Sequence, residues 1–266
     1  MPSLVLCHVD GPVATLILNR PERHNSLTPA LLEQLLAGLE GLRGQPEVKA
    51  VVLQASGRSF STGGDLAGFA AHPDNIQAYA DRLVGLLNQA MLAMIDLPAP
   101  IVAAVQGVVT GGALGLILAT DIVLVTPEAT FTPYYGVVGF SPDGGWTALL
   151  PELIGRQRAA LVLMRNASIS ADQAVAWGLA SEIVPPHLLR DRAQAVAQEI
   201  AGMQPGAVQR GKRLLWAGLP VPERLEAERR QFVEQIGTAE AQSGMGLFLK
   251  QLKQEKSDSA KGFGHA

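Results

Sequence analysis

Hydrophobic positions fall into two alternating rhythms over the first two thirds of the chain. Leu4–His8 and Val13–Leu18 are short apolar runs separated by Asp10-Gly11, a turn pair, and predict two joined strands. Thr28-Pro29 then offers an N-cap and a first helical residue ahead of ALLEQLLAGLEGL, whose leucines recur at helical spacing. Lys49–Gln54 (KAVVLQ) is short and β-branched, hence a strand. Asn75–Ile95 has helical spacing and ends near the Pro98–Pro100 breaker. Ile101–Val105 predicts a buried strand, and Gly111–Ala119 a buried helix leading into a strand at Ile122–Val125. Strands alternating with helices imply crossover connections and a largely parallel sheet, an α/β chain.

The β signal stops after Ile183. Pro186–Met203, Pro205–Ala217, Pro222–Ile236 and Met245–Lys253 all favour helix. Two regions are therefore expected: a core at 1–195 and a helical appendage at 196–266, suited to closing over a site or joining subunits. The tail Glu255–Ala266 is polar and expected to fray. Apolar stripes carrying Leu214, Leu215, Phe232, Ile236, Leu247, Phe248 and Leu252 exceed what a short appendage buries within itself. The expectation is a homotrimer or a hexamer.

Composition narrows the partners. The chain has 266 residues, 48% hydrophobic and 17% charged, enough for a sizeable core. Its most apolar stretch, around Val108–Val125, is interrupted by Thr110, Gly111, Gly112, Gly115 and Asp121, which fits a buried core rather than a membrane span. The start, MPSLVLCHVDG, has no basic flank followed by a long apolar region, so no signal peptide is read. A lone cysteine, Cys7, excludes an intramolecular disulfide framework and fits a reducing compartment. A net charge of −3 without a Lys/Arg block argues against nucleic acid as the main partner. A soluble cytoplasmic protein is expected.

Candidate chemistry centres on glycines and one carboxylate. Gly57–Leu66 (GRSFSTGGDL) and Gln106–Gly115 (QGVVTGGALG) each follow a strand. Glycines there permit close backbone approach and leave amide N–H groups free to face a ligand. In the second loop Gly111-Gly112 opens an apolar helix, whose first N–H groups are unpaired and electropositive. Two such loops face to face make a backbone oxyanion hole; alone, each is also an ordinary strand–helix turn. The stretch Phe140–Trp146 (FSPDGGW) puts Asp143 among aromatics, the only charge in Phe131–Leu150. Pro-Asp-Gly is a common turn and Asp a favoured N-cap, so a structural role stands beside a functional one. Asp65 reads as a cap and Asp121 as a junction residue. Gly206–Arg213 (GAVQRGKR) lacks the final Ser/Thr of a phosphate loop and follows no strand. The histidines His8, His24, His72, His187 and His265 have no ligand spacing, so no metal is expected. Ser59 and Ser61 lie outside any GxSxG elbow.

Together, Asn19–Asn25 (NRPERHN), Phe60–Leu66 (FSTGGDL), Ala104–Asp121 (AVQGVVTGGALGLILATD), Gly139–Gly155 (GFSPDGGWTALLPELIG) and Ala171–Gly178 (ADQAVAWG) resemble the enoyl-CoA hydratase/isomerase (crotonase) superfamily, in family order. The resemblance implies a spiral of ββα units with a C-terminal helical region that builds trimers, often paired as hexamers. It implies acyl-CoA thioester substrates and an enolate stabilised on the thioester oxygen. The hole's amides would be Gly64 N–H and Gly112 N–H. Ser61, Thr62, Gly63, Gly64 and Asp65 would line the adenine end of CoA, Leu66 would also contact the bound thioester, and Arg23 or His24 would meet the CoA phosphates. No separate cofactor is implied, since coenzyme A arrives within the substrate.

Departures from the family pattern sharpen the expectation. Hydratases carry two glutamates, and the corresponding positions here are Gly115 and Tyr135, or Tyr134 with one residue of slippage, none a carboxylate. Two-carboxylate activation of water is then unavailable. Asp143 falls where several enoyl-CoA isomerases, including the ring-epoxide isomerase of phenylacetate degradation, carry a catalytic aspartate. PDGGxxxLLP is especially similar to that group. A single base there would move a proton between carbons through one enolate, walled by Phe131, Tyr134, Tyr135, Phe140 and Trp146. The leading expectation is a double-bond-shifting acyl-CoA isomerase. Aryl-CoA dehalogenase-like hydrolysis would use Asp143 as nucleophile but needs a histidine near residue 85, and Pro73–Gln106 contains none. Two further activities stay open, a hydratase and a non-catalytic CoA-binding relative.

Overall fold

The computed structural model describes residues 3–262, with side chains through residue 254. Two sheets carry the architecture. In the first, β1 (Val5–Asp10) pairs antiparallel with β2 (Val13–Leu18), and β3 (Ala50–Ala55), β4 (Ile101–Val105), β6 (Ile122–Val125) and β9 (Glu182–Ile183) follow in parallel. The second and smaller sheet has the order β5 (Val108–Thr110), β7 (Thr130–Thr132), β8 (Ile169–Ser170). Thus β4 and β5 follow one another in sequence yet belong to different sheets.

Parallel strands buried on both faces explain the near-continuous Val/Ile/Leu runs. Val51, Leu53, Ile101, Ala103 and Val105 face the larger core cluster. Their alternating neighbours Val52, Val102, Ala104 and Leu124 pack against Leu189, Ala193, Val196 and Ala197 of the helix Leu189–Ala201. A boundary at 195/196 therefore falls inside a helix that covers the sheet, and the core extends through it. On the other face the helix Pro29–Arg43 buries Leu31, Leu32, Leu35, Leu39 and Leu42. The Thr28 hydroxyl accepts Leu31 N–H, a cap that contributes about 1 kcal/mol.

The helix Ile76–Ile95 buries nine residues, among them Leu83, Leu87 and Met91, and lies between Pro29–Arg43 and Val221–Ile236. The last of these buries Leu225, Phe232 and Ile236 on its own chain. Part of the apolar stripe is thus covered by the same chain. Leu214, Leu215 and Leu247 remain exposed, Leu215 at 81%. The helix Ala239–Gly262 replaces the shorter Met245–Lys253 prediction and carries most of the segment expected to fray. Residues 263–266 of that tail lie outside the described residues. No helix among the described residues is long and apolar enough to cross a membrane.

Candidate active site

Backbone pairing brings the two glycine-rich loops together. Leu27 N–H donates to the Gly63 carbonyl at 2.7 Å, and Asp65 N–H donates to the Leu27 carbonyl at 3.0 Å. This parallel bridge uses the residues on either side of Gly64, so the Gly64 peptide N–H turns away from Leu27. A second bridge joins Ser61 to Val109, through Ser61 N–H to Val108 and Thr110 N–H to Ser61. Gly63 has φ +73°, and a Cβ there would stand 2.6 Å from the Thr110 carbonyl. Only glycine lets the loops close to this distance. Gly112 is the second residue of the 3₁₀ turn Gly111–Ala113, where first-turn N–H groups lack intrahelical partners.

Asp143 packs against Gly112. A Cβ on Gly112 would lie 3.0 Å from Oδ2 and 3.2 Å from Oδ1 of Asp143, and 2.9 Å from Leu87. The carboxylate is 6% exposed. Its Oδ1 accepts the Tyr135 hydroxyl at 2.5 Å, and the same hydroxyl reaches the Asp143 carbonyl at 3.0 Å. Burial raises the Asp143 pKa to about 7; the Tyr135 hydrogen bond opposes this and the nearby Glu228 charge reinforces it. Tyr135 is pushed well above its ordinary value by burial, then by the Asp143 charge, so it remains a donor.

The loop after Asp143 turns sharply through Gly144 and Gly145, both at positive φ. A Cβ on Gly144 would come within 2.6 Å of Gly112 Cα, so the two loops touch backbone to backbone. Gly115, one turn beyond Gly112, faces Met91 and Gly144. A Cβ there would be 2.6 Å from Met91 Sδ and 2.9 Å from the Gly144 carbonyl. A glutamate does not fit at 115 without displacing both.

The remaining predicted residues divide by role. Trp146 is wholly buried, donates its indole N–H to the Gly111 carbonyl at 2.8 Å and meets Tyr135 edge-on. Phe140 packs edge-on against Phe69 and Phe232, and Phe131 is fully buried. Tyr134 is part-exposed and meets Phe248 instead of the carboxylate. Ser61 is fully buried and donates to the Asn25 carbonyl at 2.7 Å, so its side chain ties two loops and does not line a ligand surface. Thr62 N–H donates to the His24 carbonyl. His24 itself has φ 50°, with Nδ1 3.3 Å from Ser59 Oγ and Nε2 3.2 Å from Arg58. Asp65 caps Ala67 N–H at the start of the helix Leu66–Ala70 and pairs with Arg20 and Arg23. Burial raises its pKa, but the two guanidiniums and the N–H outweigh that and hold it below the usual range. Asp121 pairs with Lys212, as a junction residue.

Sequence reasoning missed Glu228. This carboxylate is 5% exposed and accepts Gly145 N–H, Thr147 N–H, the Thr147 hydroxyl and Ala148 N–H at 2.6–2.9 Å. The signal was present. Val221, Leu225, Glu228, Phe232 and Ile236 form one helical stripe, and a charge sits in the middle of it. Two open clefts, of about 500 Å³ between the helices Ile76–Ile95 and Val221–Ile236 and about 360 Å³ beside Arg58 and Arg190, are not lined by Asp143. Asp143 is enclosed, away from both clefts.

A profile of the enoyl-CoA hydratase/isomerase family matches residues 9–258. The chain belongs to this family. Among its family relatives, a probable enoyl-CoA hydratase of Mycobacterium bovis, echA12, is 36% identical over 82% of this chain and 78% of its own. A 1,2-epoxyphenylacetyl-CoA isomerase of Escherichia coli is 34% identical over 76% of this chain and 77% of its own. A crystal structure of an enoyl-CoA hydratase from Mycobacterium avium subsp. paratuberculosis superposes with TM-score 0.83 at 26% identity, over 92% of this chain and 99% of the other. The family fold is thus the crotonase-like α/β fold expected from the motifs, and family enzymes act on acyl-CoA thioesters. Hydratase and isomerase names both occur among these relatives.

Proposed function

We propose that the protein is an acyl-CoA isomerase that shifts a double bond, or rearranges a ring-derived enoyl-CoA, through a thioester enolate. Asp143 is the single acid–base group. Its Oδ1 is occupied by Tyr135, so the other oxygen, Oδ2, is the one that takes the proton from one carbon and returns it to another. The negative charge left on the thioester oxygen is held by Gly64 N–H and Gly112 N–H. Phe69, Phe140 and Phe232 keep water from the enolate. Arg23, half-exposed beside Asp65, is the cation suited to a CoA phosphate. On the same reading the helices beyond residue 201 join three chains through Leu214, Leu215 and Leu247.

One observation carries the reading: a carboxylate with a pKa of about 7 lies against Gly112, neither Gly115 nor Tyr135 supplies a second, and position 115 has no room for one. That argues against hydration, which needs a second carboxylate to activate water. Hydrolysis with Asp143 as nucleophile lacks the histidine base that it needs between Pro73 and Gln106.

The test is Asp143→Asn against a panel of enoyl-, dienoyl- and aryl-CoA thioesters. Asn keeps the shape and can still accept from Tyr135. The variant is expected to fold and to bind thioester, while isomerisation falls by about two to four decades. Exchange of substrate α- or γ-hydrogens with deuterated water should disappear with it. If the stable variant retains exchange, Asp143 is a turn residue and this reading is wrong.

A further inference from the structure

We propose that Glu228 is a positioning residue for Asp143: it clasps the 145–148 turn and thereby fixes the carboxylate against Gly112. This rests on the isomerase reading, but its own observations are independent. Both Glu228 oxygens are used: Oε2 accepts Gly145 N–H, and Oε1 accepts Thr147 N–H, the Thr147 hydroxyl and Ala148 N–H. A buried carboxylate with four donors is anchored far more firmly than a surface ion pair. It also supplies acceptors for the N–H groups of the buried residues Gly145 and Ala148. The clasped turn starts two residues from Asp143, and Gly144 between them is pressed on Gly112. Moving the turn moves both the base and the wall of the hole.

Glu228 does not touch the place where substrate reacts, so it acts through Asp143. The titratable groups facing Asp143 are Tyr135, from the helix Tyr135–Val138, and Glu228, from Val221–Ile236. Burial raises the Glu228 pKa while its four donors hold it down. Charged, it makes a second negative charge on Asp143 harder to form. The rate on free substrate is then expected to rise with pH as Asp143 deprotonates, with a midpoint near 7.

Two variants separate position from charge. Glu228→Gln removes the charge and presents an amide N–H₂ to backbone donors; Glu228→Asp keeps the charge but falls short of them. In Glu228→Gln, kcat is expected to fall on the order of tenfold to a hundredfold, and the acid limb of kcat/KM to move to lower pH. In Glu228→Asp, kcat is expected to fall while the acid limb stays in place. The Asp143 carboxyl is titrated in parallel by difference infrared spectroscopy, with the signal identified by its loss in Asp143→Asn. This reads the protonation of Asp143 whether or not it is catalytic. A stable Glu228→Gln with unchanged kcat and an unchanged Asp143 titration overturns the proposal, as does, if that variant does not fold, a stable Glu228→Asp with unchanged kcat. Full activity in Asp143→Asn instead overturns the isomerase reading, and the infrared shift still judges the clasp.

Discussion

At the residue scale, Asp143 trades stability for a usable pKa. Its carboxyl titrates at about 7 when folded and at its ordinary 3.8 when unfolded. Between these values the unfolded chain has lost a proton that the folded chain keeps. Stability therefore falls as pH rises from about 4 to about 7, and the deficit persists above that. Its ceiling is on the order of 4 kcal/mol. Asp143→Asn removes this dependence, so denaturation curves should show the variant gaining on wild type between pH 5 and pH 8. An equal pH response in both proteins would mean that the carboxyl is not buried as described. Gly112 is the second sensitive residue. Gly112→Ala drives a methyl against Leu87 and both Asp143 oxygens. Turnover is expected to fall by about two decades or more, measured per folded molecule. Asp143 was conspicuous in the sequence because it is the only charge in a twenty-residue apolar run. Its partner Glu228 was hidden among the other charged residues of its helix, and only the periodicity of the stripe separates it from them.

At the scale of elements, the C-terminal helix Pro205–Trp216 is tied to the core by one buried cation. Lys212 donates to the Met94 and Ala99 carbonyls and pairs with Asp121 at 2.9 Å, which also accepts Ile101 N–H. Burial lowers the Lys212 pKa, while Asp121 opposes the shift. Lys212→Met leaves Asp121 without its counter-ion and is expected to cost about 3–5 kcal/mol, read from urea midpoints. A loss below about 1 kcal/mol would show that water replaces the ammonium. Elements with a strong period were legible: β4 and β6 have the predicted ends, and the Thr28 cap is in place. The short pieces were not. β5, β7 and β8 have two or three residues each, and Leu150–Ile154 has five. Too short for a repeat, they are fixed by what they pack on.

At the scale of the whole molecule, exposed leucines outline the surface on which the proposed assembly rests. Leu214 and Leu215 are more than 70% exposed on one helix, and Leu247 is 60% exposed on another. Light scattering at micromolar concentration is expected to give a trimer or its double, and Leu214→Glu with Leu215→Glu to lower the mass. A monomeric wild-type mass would remove the proposed assembly. The division into core and appendage was only partly legible, because apolar stripes look the same whether their cover is the same chain or another. Phe232 and Ile236 found theirs at home.

The clasp also sets a timetable. Glu228 is made 83 residues after Gly145, and the strands of both sheets are complete before it appears. At about 5–20 residues per second, the ribosome needs roughly 4–17 s to cover that distance. For that interval the nascent chain holds its glycine loops and Asp143 but not the carboxylate that seats them. Competence therefore arrives late in translation, and a chain that stalls short of the helix Val221–Ile236 is left with an unset turn.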